Sequence, residues 1–158
     1  MRLIKKTNIV LILFMFASMA TFAKSPEVND KKSATPIELS TSEFLKKVHN
    51  FVKSPNDWDY KGDKPAIIDF HATWCGPCKQ LAPTLTALAA EYGDDIYVYK
   101  VDVDREPDVA RAFGIQSVPS LLFIPQGDAV PQMGQGNIPK ESLKKVIDEF
   151  MLGKEPKE

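Results

Sequence analysis

The chain reads as an α/β protein: a central mixed β-sheet flanked by helices on both faces, in the order βαβαβαββα. Apolar patterning switches repeatedly between a strand period and a helix period along the chain. The run "PAIIDFHA" is too continuously apolar for a surface strand, and two late strand candidates flank a turn signal. Each element follows in order from these patterns.

"PIEL" (Pro36 to Leu39) is a short strand candidate. A helix follows it, with Ser40 as cap and Glu43 as its capping-box partner three residues on. Phe44, Leu45, Val48, Phe51 and Val52 fall on its apolar stripe. "PAIIDFHA" (Pro65 to Ala72) is the buried central strand, and a helix from about Cys75 to Tyr92 buries Leu81, Leu85, Leu88 and Ala89, with Pro83 predicting a kink. "IYVYKVDV" (Ile96 to Val103) is the next strand, and "PDVARAFG" is a short helix begun by Pro107 and stopped by Gly114. "SLLFI" and "AVPQM" around "PQGD" predict an antiparallel hairpin at the sheet edge, where Pro131 is tolerable. A final helix from Pro139 to Leu152 buries Leu143, Val146, Ile147 and Phe150.

Ahead of this domain the chain opens "MRLIKKTNIVLILFMFASMATFAKS". Arg2, Lys5 and Lys6 precede an apolar stretch from Ile9 to Ala17, with small residues at Ser18/Ala20 and Thr21/Ala23. That pattern is a secretory signal peptide, too short and too interrupted by Ser18 and Thr21 for a membrane span. Export, to a periplasm or outside the cell, is therefore expected, with cleavage after Ala20 or Ala23. A lipid anchor needs a cysteine at the cleavage site, and none precedes Cys75.

Removing 23 residues from 158 leaves 135, and losing those three cations moves the net charge from −1 to −4. That is one domain's length, with a core able to stand without disulfide bracing. An acidic balance without a basic run argues against nucleic acid. No internal repeat is visible. Residues 24–35 read as a loose polar arm, 36–152 as the domain and 153–158 as a loose tail.

The chain's two cysteines, Cys75 and Cys78, lie in "ATWCGPCKQ", where the central strand gives way to a helix. First-turn amides have no helical partners and carry partial positive charge, so a thiolate at Cys75 is stabilised there. Cys78, three residues on, shares its face and is close enough to close a disulfide. Gly76 allows the tight approach, and Pro77 suits a first turn. A structural staple across so short a loop would add only about 2 kcal/mol. Zinc wants four ligands, and His49 and His71 form no second cluster, so no metal is expected. A redox couple is favoured, with staple and metal as the alternatives.

"IIDFHATWCGPCKQLAP" resembles the active-site signature of the thioredoxin family, and "KVDVDREPDVARAFGIQSVPSLLF" is similar to its middle segment. The likeness runs from about Pro36 to Leu152. It implies a thioredoxin fold, a sheet with four flanking helices, dithiol-disulfide exchange and no bound cofactor. By resemblance Cys75 is the attacking cysteine and Cys78 the resolving one. Asp69 is a buried aspartate relaying a proton to or from the second thiol, with burial raising its pKa. Lys100 corresponds to a lysine near that aspartate, Val118-Pro119 to a cis-proline loop whose backbone pairs with an extended substrate, and Trp74 and Gly136 to the groove's rim.

Two features depart from the family pattern. His71 stands where an aromatic residue is usual, on the same side of its strand as Asp69; the plainer account is a half-buried, hydrogen-bonded histidine, the alternative one that adds pH dependence. "SPNDWDYKGDK" is a long connection in which Trp58 and Tyr60 read as loop anchors.

The function implied is reduction of disulfide-containing protein substrates by a monomer recharged from a membrane thiol-disulfide electron donor. A disulfide oxidant or isomerase is the close alternative, and a redox-inactive binding module the remote one. The GP dipeptide between the cysteines resembles that of reducing thioredoxins, whereas an exported location is kept oxidising.

Overall fold

Strands β2 (Ala66–His71) and β3 (Tyr97–Asp102) form the parallel centre of a five-stranded sheet, in register from Ala66 opposite Tyr97 to His71 opposite Asp102. The computed structural model describes residues 35–127 and 129–156, so the leader and all but the last residue of the arm lie outside the described residues. β1 (Ile37–Glu38) lies parallel to β3 on its other side. β4 (Ser120–Ile124) pairs antiparallel with β2, and β5 (Gln132–Gln135) antiparallel with β4, giving the order β1-β3-β2-β4-β5. With a neighbour on each edge and helices over each face, β2 has no water to meet, which is why its run is continuously apolar.

Side-chain alternation along the strands sorts the core into two layers. Ile67, Val98, Leu121 and Phe123 pack under α2 (Gly76–Tyr92) and the last helix, whose Leu81, Leu85, Leu88, Leu143 and Ile147 complete that layer. Ile68, Phe70, Tyr99, Val101 and Leu122 face the other way, against Phe44 and Val48 at α1 (Thr41–Lys47) and Val109 of α3 (Pro107–Ala112). Helices therefore cover both faces of a mixed sheet, as the sequence predicts.

The capping box at Ser40 and Glu43 is present: Ser40 Oγ accepts the Glu43 amide, and the Glu43 carboxylate accepts the Ser40 amide at 2.9 Å. That pairing holds the Glu43 carboxyl below its ordinary range. The predicted stripe, however, outruns the helix. α1 ends at Lys47, so Phe44 and Val48 are buried while Val52 lies exposed on the following turns. Once helical winding stops, residues three and four apart no longer share a face.

The hairpin's second strand also differs from its predicted span. Pro131 has no amide hydrogen to give, and ladder pairing begins one residue later, at Gln132 opposite Phe123. α2 runs unbroken through Pro83. The final helix is α-helical only as α4 (Lys140–Lys145) and continues as π turns over Val146–Met151. Leu143, Ile147 and Met151 fill the core, while Val146 and Phe150 are half-buried.

Within the tail, the Lys154 amide donates to the Asp148 carbonyl at 2.8 Å and its ammonium sits over the Tyr92 ring. The long connection before β2 folds back as an anchored loop. Trp58 stacks on Tyr60 and packs 4.8 Å from the His49 ring, and the Tyr60 hydroxyl donates to the Lys64 carbonyl at 2.6 Å.

Candidate active site

The strand-to-helix junction after β2 places both sulfurs. Cys75 is the N-cap of α2, with extended backbone, and Cys78 occupies the first turn. The two are joined as a disulfide, with Cα atoms 5.3 Å apart. The Cys78 amide donates to Cys75 Sγ at 3.1 Å, so an otherwise orphan helical N–H is aimed at that sulfur. Pro77 sits in the same first turn without cost, as expected. Gly76 has a different basis from the one predicted. A Cβ there would meet nothing within 4 Å, so helical winding, and not a missing side chain, brings the cysteines together.

Asp69 lies on the same face of β2 as Ile67 and is 1% exposed. Its Oδ1 has no hydrogen-bond partner. Burial pushes its carboxyl up to about 6, against the opposing pull of His71 and Lys100 and with a smaller push from the Glu38 carboxylate. Asp69, His71, Cys78, Lys79 and Lys100 line one cavity of about 340 Å³, so the carboxyl and the second sulfur open onto the same small volume. Lys100 sits opposite Asp69 in register, but its ion pair goes to Glu38 Oε2 at 3.3 Å.

Glu38 also receives His71, through Oε1 and Nε2 at 3.1 Å. Sequence reasoning missed this residue. "PIEL" showed a carboxylate in an edge strand, but only the β1-to-β3 pairing, Glu38 opposite Lys100, brings it to the site. His71 is thus half-buried and hydrogen-bonded, on Asp69's side of the strand.

The residues expected at the rim come from three further segments. Trp74 is 69% exposed, and its indole N–H donates to Asp104 at 2.7 Å. Asp104 is itself held by the buried Asp102, whose carboxylate accepts its amide at 3.0 Å. Neither aspartate was foreseen, because both act through a turn that the strand pattern does not reveal. Val118 packs against the cluster of Ala72, Cys75 and Cys78, and the Val118-Pro119 peptide is cis. The Gly136 amide donates to the Pro119 carbonyl at 2.9 Å. In the free protein Gly136 is required by its φ of +83°, a conformation side chains disfavour, since a Cβ there would meet open space. Among the described residues no three His, Cys, Asp or Glu side chains gather to hold a metal.

A helix-capping Cys-X-X-Cys disulfide at the end of the central strand, with a buried carboxyl behind it, defines a redox-active protein of the thioredoxin fold. The thioredoxin family profile matches residues 37–149, and the chain belongs to that family. It is 42% identical over 114 residues to a thioredoxin of Borreliella burgdorferi, covering 72% of this chain and 96% of that one. It is also 34% identical to the chloroplastic M-type thioredoxin of Spinacia oleracea, over 75% of this chain and 70% of that one. Among solved structures, chloroplastic thioredoxin z superposes with a TM-score of 0.61 at 27% identity, covering 72% of this chain and 91% of that one. A point-mutant thioredoxin of Halobacterium salinarum gives 0.57 at 31% identity, over 75% and 92%. Membership implies thiol-disulfide oxidoreductase activity in general, and thioredoxins act on disulfide-containing protein substrates.

Proposed function

We propose that the protein is an exported monomeric thioredoxin that reduces protein disulfides outside the cytoplasm and is recharged by a membrane thiol-disulfide donor. The observation that carries the chemistry is the shared cavity: the buried Asp69 carboxyl, whose Oδ1 has no hydrogen-bond partner, and Cys78 both open onto it. The GP dipeptide between the cysteines supports the reducing direction, and the basic-apolar-small leader supports export.

The cycle starts from the dithiol. Cys75 thiolate attacks one sulfur of the substrate disulfide, forming a mixed disulfide and releasing the other sulfur as a thiolate. The substrate lies extended along Val118 and Pro119, with Trp74 and Gly136 at the rim. Asp69 takes the Cys78 proton, and the Cys78 thiolate attacks Cys75 Sγ, breaking the mixed disulfide. Two electrons have passed to the substrate, whose two thiolates take up protons, one from Asp69 and one from water, and the protein holds the Cys75-Cys78 disulfide. The donor returns two electrons and two protons.

Cys78→Ser should accumulate a covalent Cys75-substrate complex, visible on non-reducing gels; normal turnover by that variant would overturn the assigned roles. A redox titration of the mature protein against glutathione reads the direction. A midpoint well on the reducing side of glutathione supports the reductase, and one on the oxidising side replaces it with an oxidant or isomerase. Cell fractionation reads the compartment.

A further inference from the structure

The Asp69 cavity holds more charge than a proton relay needs. Besides the Cys78 thiol of the reduced protein, five ionisable side chains from four elements meet His71 or line its cavity: Glu38 from β1, Asp69 and His71 itself from β2, Lys100 from β3 and Lys79 from α2. Asp102, opposite His71 in register, directs its carboxylate to the amides of Asp104 and Arg105. Glu38 binds His71 through one oxygen and Lys100 through the other, so the two groups that favour an ionised Asp69 share a single anchor.

We propose that His71, held by Glu38, is a positioning residue whose protonation keeps Asp69 ionised, and therefore able to take the Cys78 proton, as the surroundings turn acidic. A neutral His71 leaves Lys100 as the cation closest in register to Asp69. A protonated His71 adds a second positive charge two residues along the same strand face. The coupling is reciprocal: an ionised Asp69 favours His71 protonation by the same free energy. Acid conditions outside a cell are where such a device matters.

The inference rests on the exchange reading, and one pair of measurements separates them. The Asp69 carboxyl is followed by carbon NMR in the reduced protein. Alongside it, the rate of mixed-disulfide resolution is measured over roughly pH 4 to 8, the range in which a histidine and a raised carboxyl both titrate. His71→Gln should move the Asp69 midpoint and the acid limb of the rate upward together, slowing resolution about three- to tenfold near pH 5, as expected for loss of one partly screened charge. His71→Lys should hold both at or below their wild-type positions. An unchanged Asp69 midpoint in His71→Gln overturns the proposal. So does His71→Lys behaving like His71→Gln, because the shape of the side chain and not its charge would then be at work. A wild-type protein without resolution activity sinks the exchange reading instead, while the carboxyl titration still reads the coupling.

Discussion

The two faces of β2 carry neighbouring residues to opposite fates. On the α1/α3 side Ile68 and Phe70 are sealed by aromatic rings: Phe113 stands 5.2 Å from Phe44 and 5.9 Å from Phe70, and the loop with Trp58 and Tyr60 packs over the edge of that layer. On the α2 side Ile67 lies under leucines, but the next residue on that face is Asp69 and the one after it His71. The closed face is packed mainly with apolar and aromatic side chains and serves stability. The open face admits a carboxyl because α2 begins above it, leaving a cavity and not a packed layer. Stability and reactivity are therefore divided across a single strand, one residue apart.

Breaking the closed face should have the largest effect. Phe70→Ala removes a fully buried ring from the aromatic layer and should cost about 3 to 5 kcal/mol, read as a drop in the urea midpoint. The surviving folded fraction should keep its exchange rate per molecule, since Phe70 points away from the sulfurs.

Altering the open face should have the opposite sign. Burial raises the folded Asp69 carboxyl from an ordinary 3.8 to about 6. The folded protein then holds that proton more tightly than the unfolded chain does, so this contribution is complete below about pH 4 and is lost as pH rises through about 6. Above that range the ionised carboxylate costs about 3 kcal/mol. Asp69→Asn should accordingly stabilise the protein by about 2 to 3 kcal/mol at alkaline pH and by little in acid, while slowing resolution by Cys78. Equal effects at both pH values would show that the gain is unrelated to proton binding.

A smaller change sharpens the contrast by touching neither face. Ser40→Ala removes the α1 capping box, costing about 1 kcal/mol without altering exchange. Loss of activity from that substitution would mean that β1 and Glu38, just ahead of the cap, hold the site more directly than packing alone requires.

Much of this was legible along the chain because it depends on neighbours in sequence. The capping box lies within four consecutive residues, and the sulfur pair and its helix start within another four. Both follow from backbone hydrogen-bond needs that local side chains meet or fail to meet. Val52 and Pro131 were misplaced for a related reason: periodicity shows a face only while the element lasts, and where it ends is set by what the next segment packs against. Gly76 was assigned a steric role because its place between two cysteines suggests crowding, but the turn leaves open space there.

Glu38 marks the other boundary. Nothing within "PIEL" distinguishes its carboxylate from any solvated edge residue, yet strand pairing sets it between His71 and Lys100, drawn from segments far apart in the chain. The order of secondary elements, the redox pair and the odd polarity of Asp69 came from the sequence, since each is a local departure from a regular pattern. That Glu38 joins His71 and Lys100 beside Asp69 came only with the tertiary structure. Electrostatic interaction depends on distance through space, and sheet register alone sets those distances.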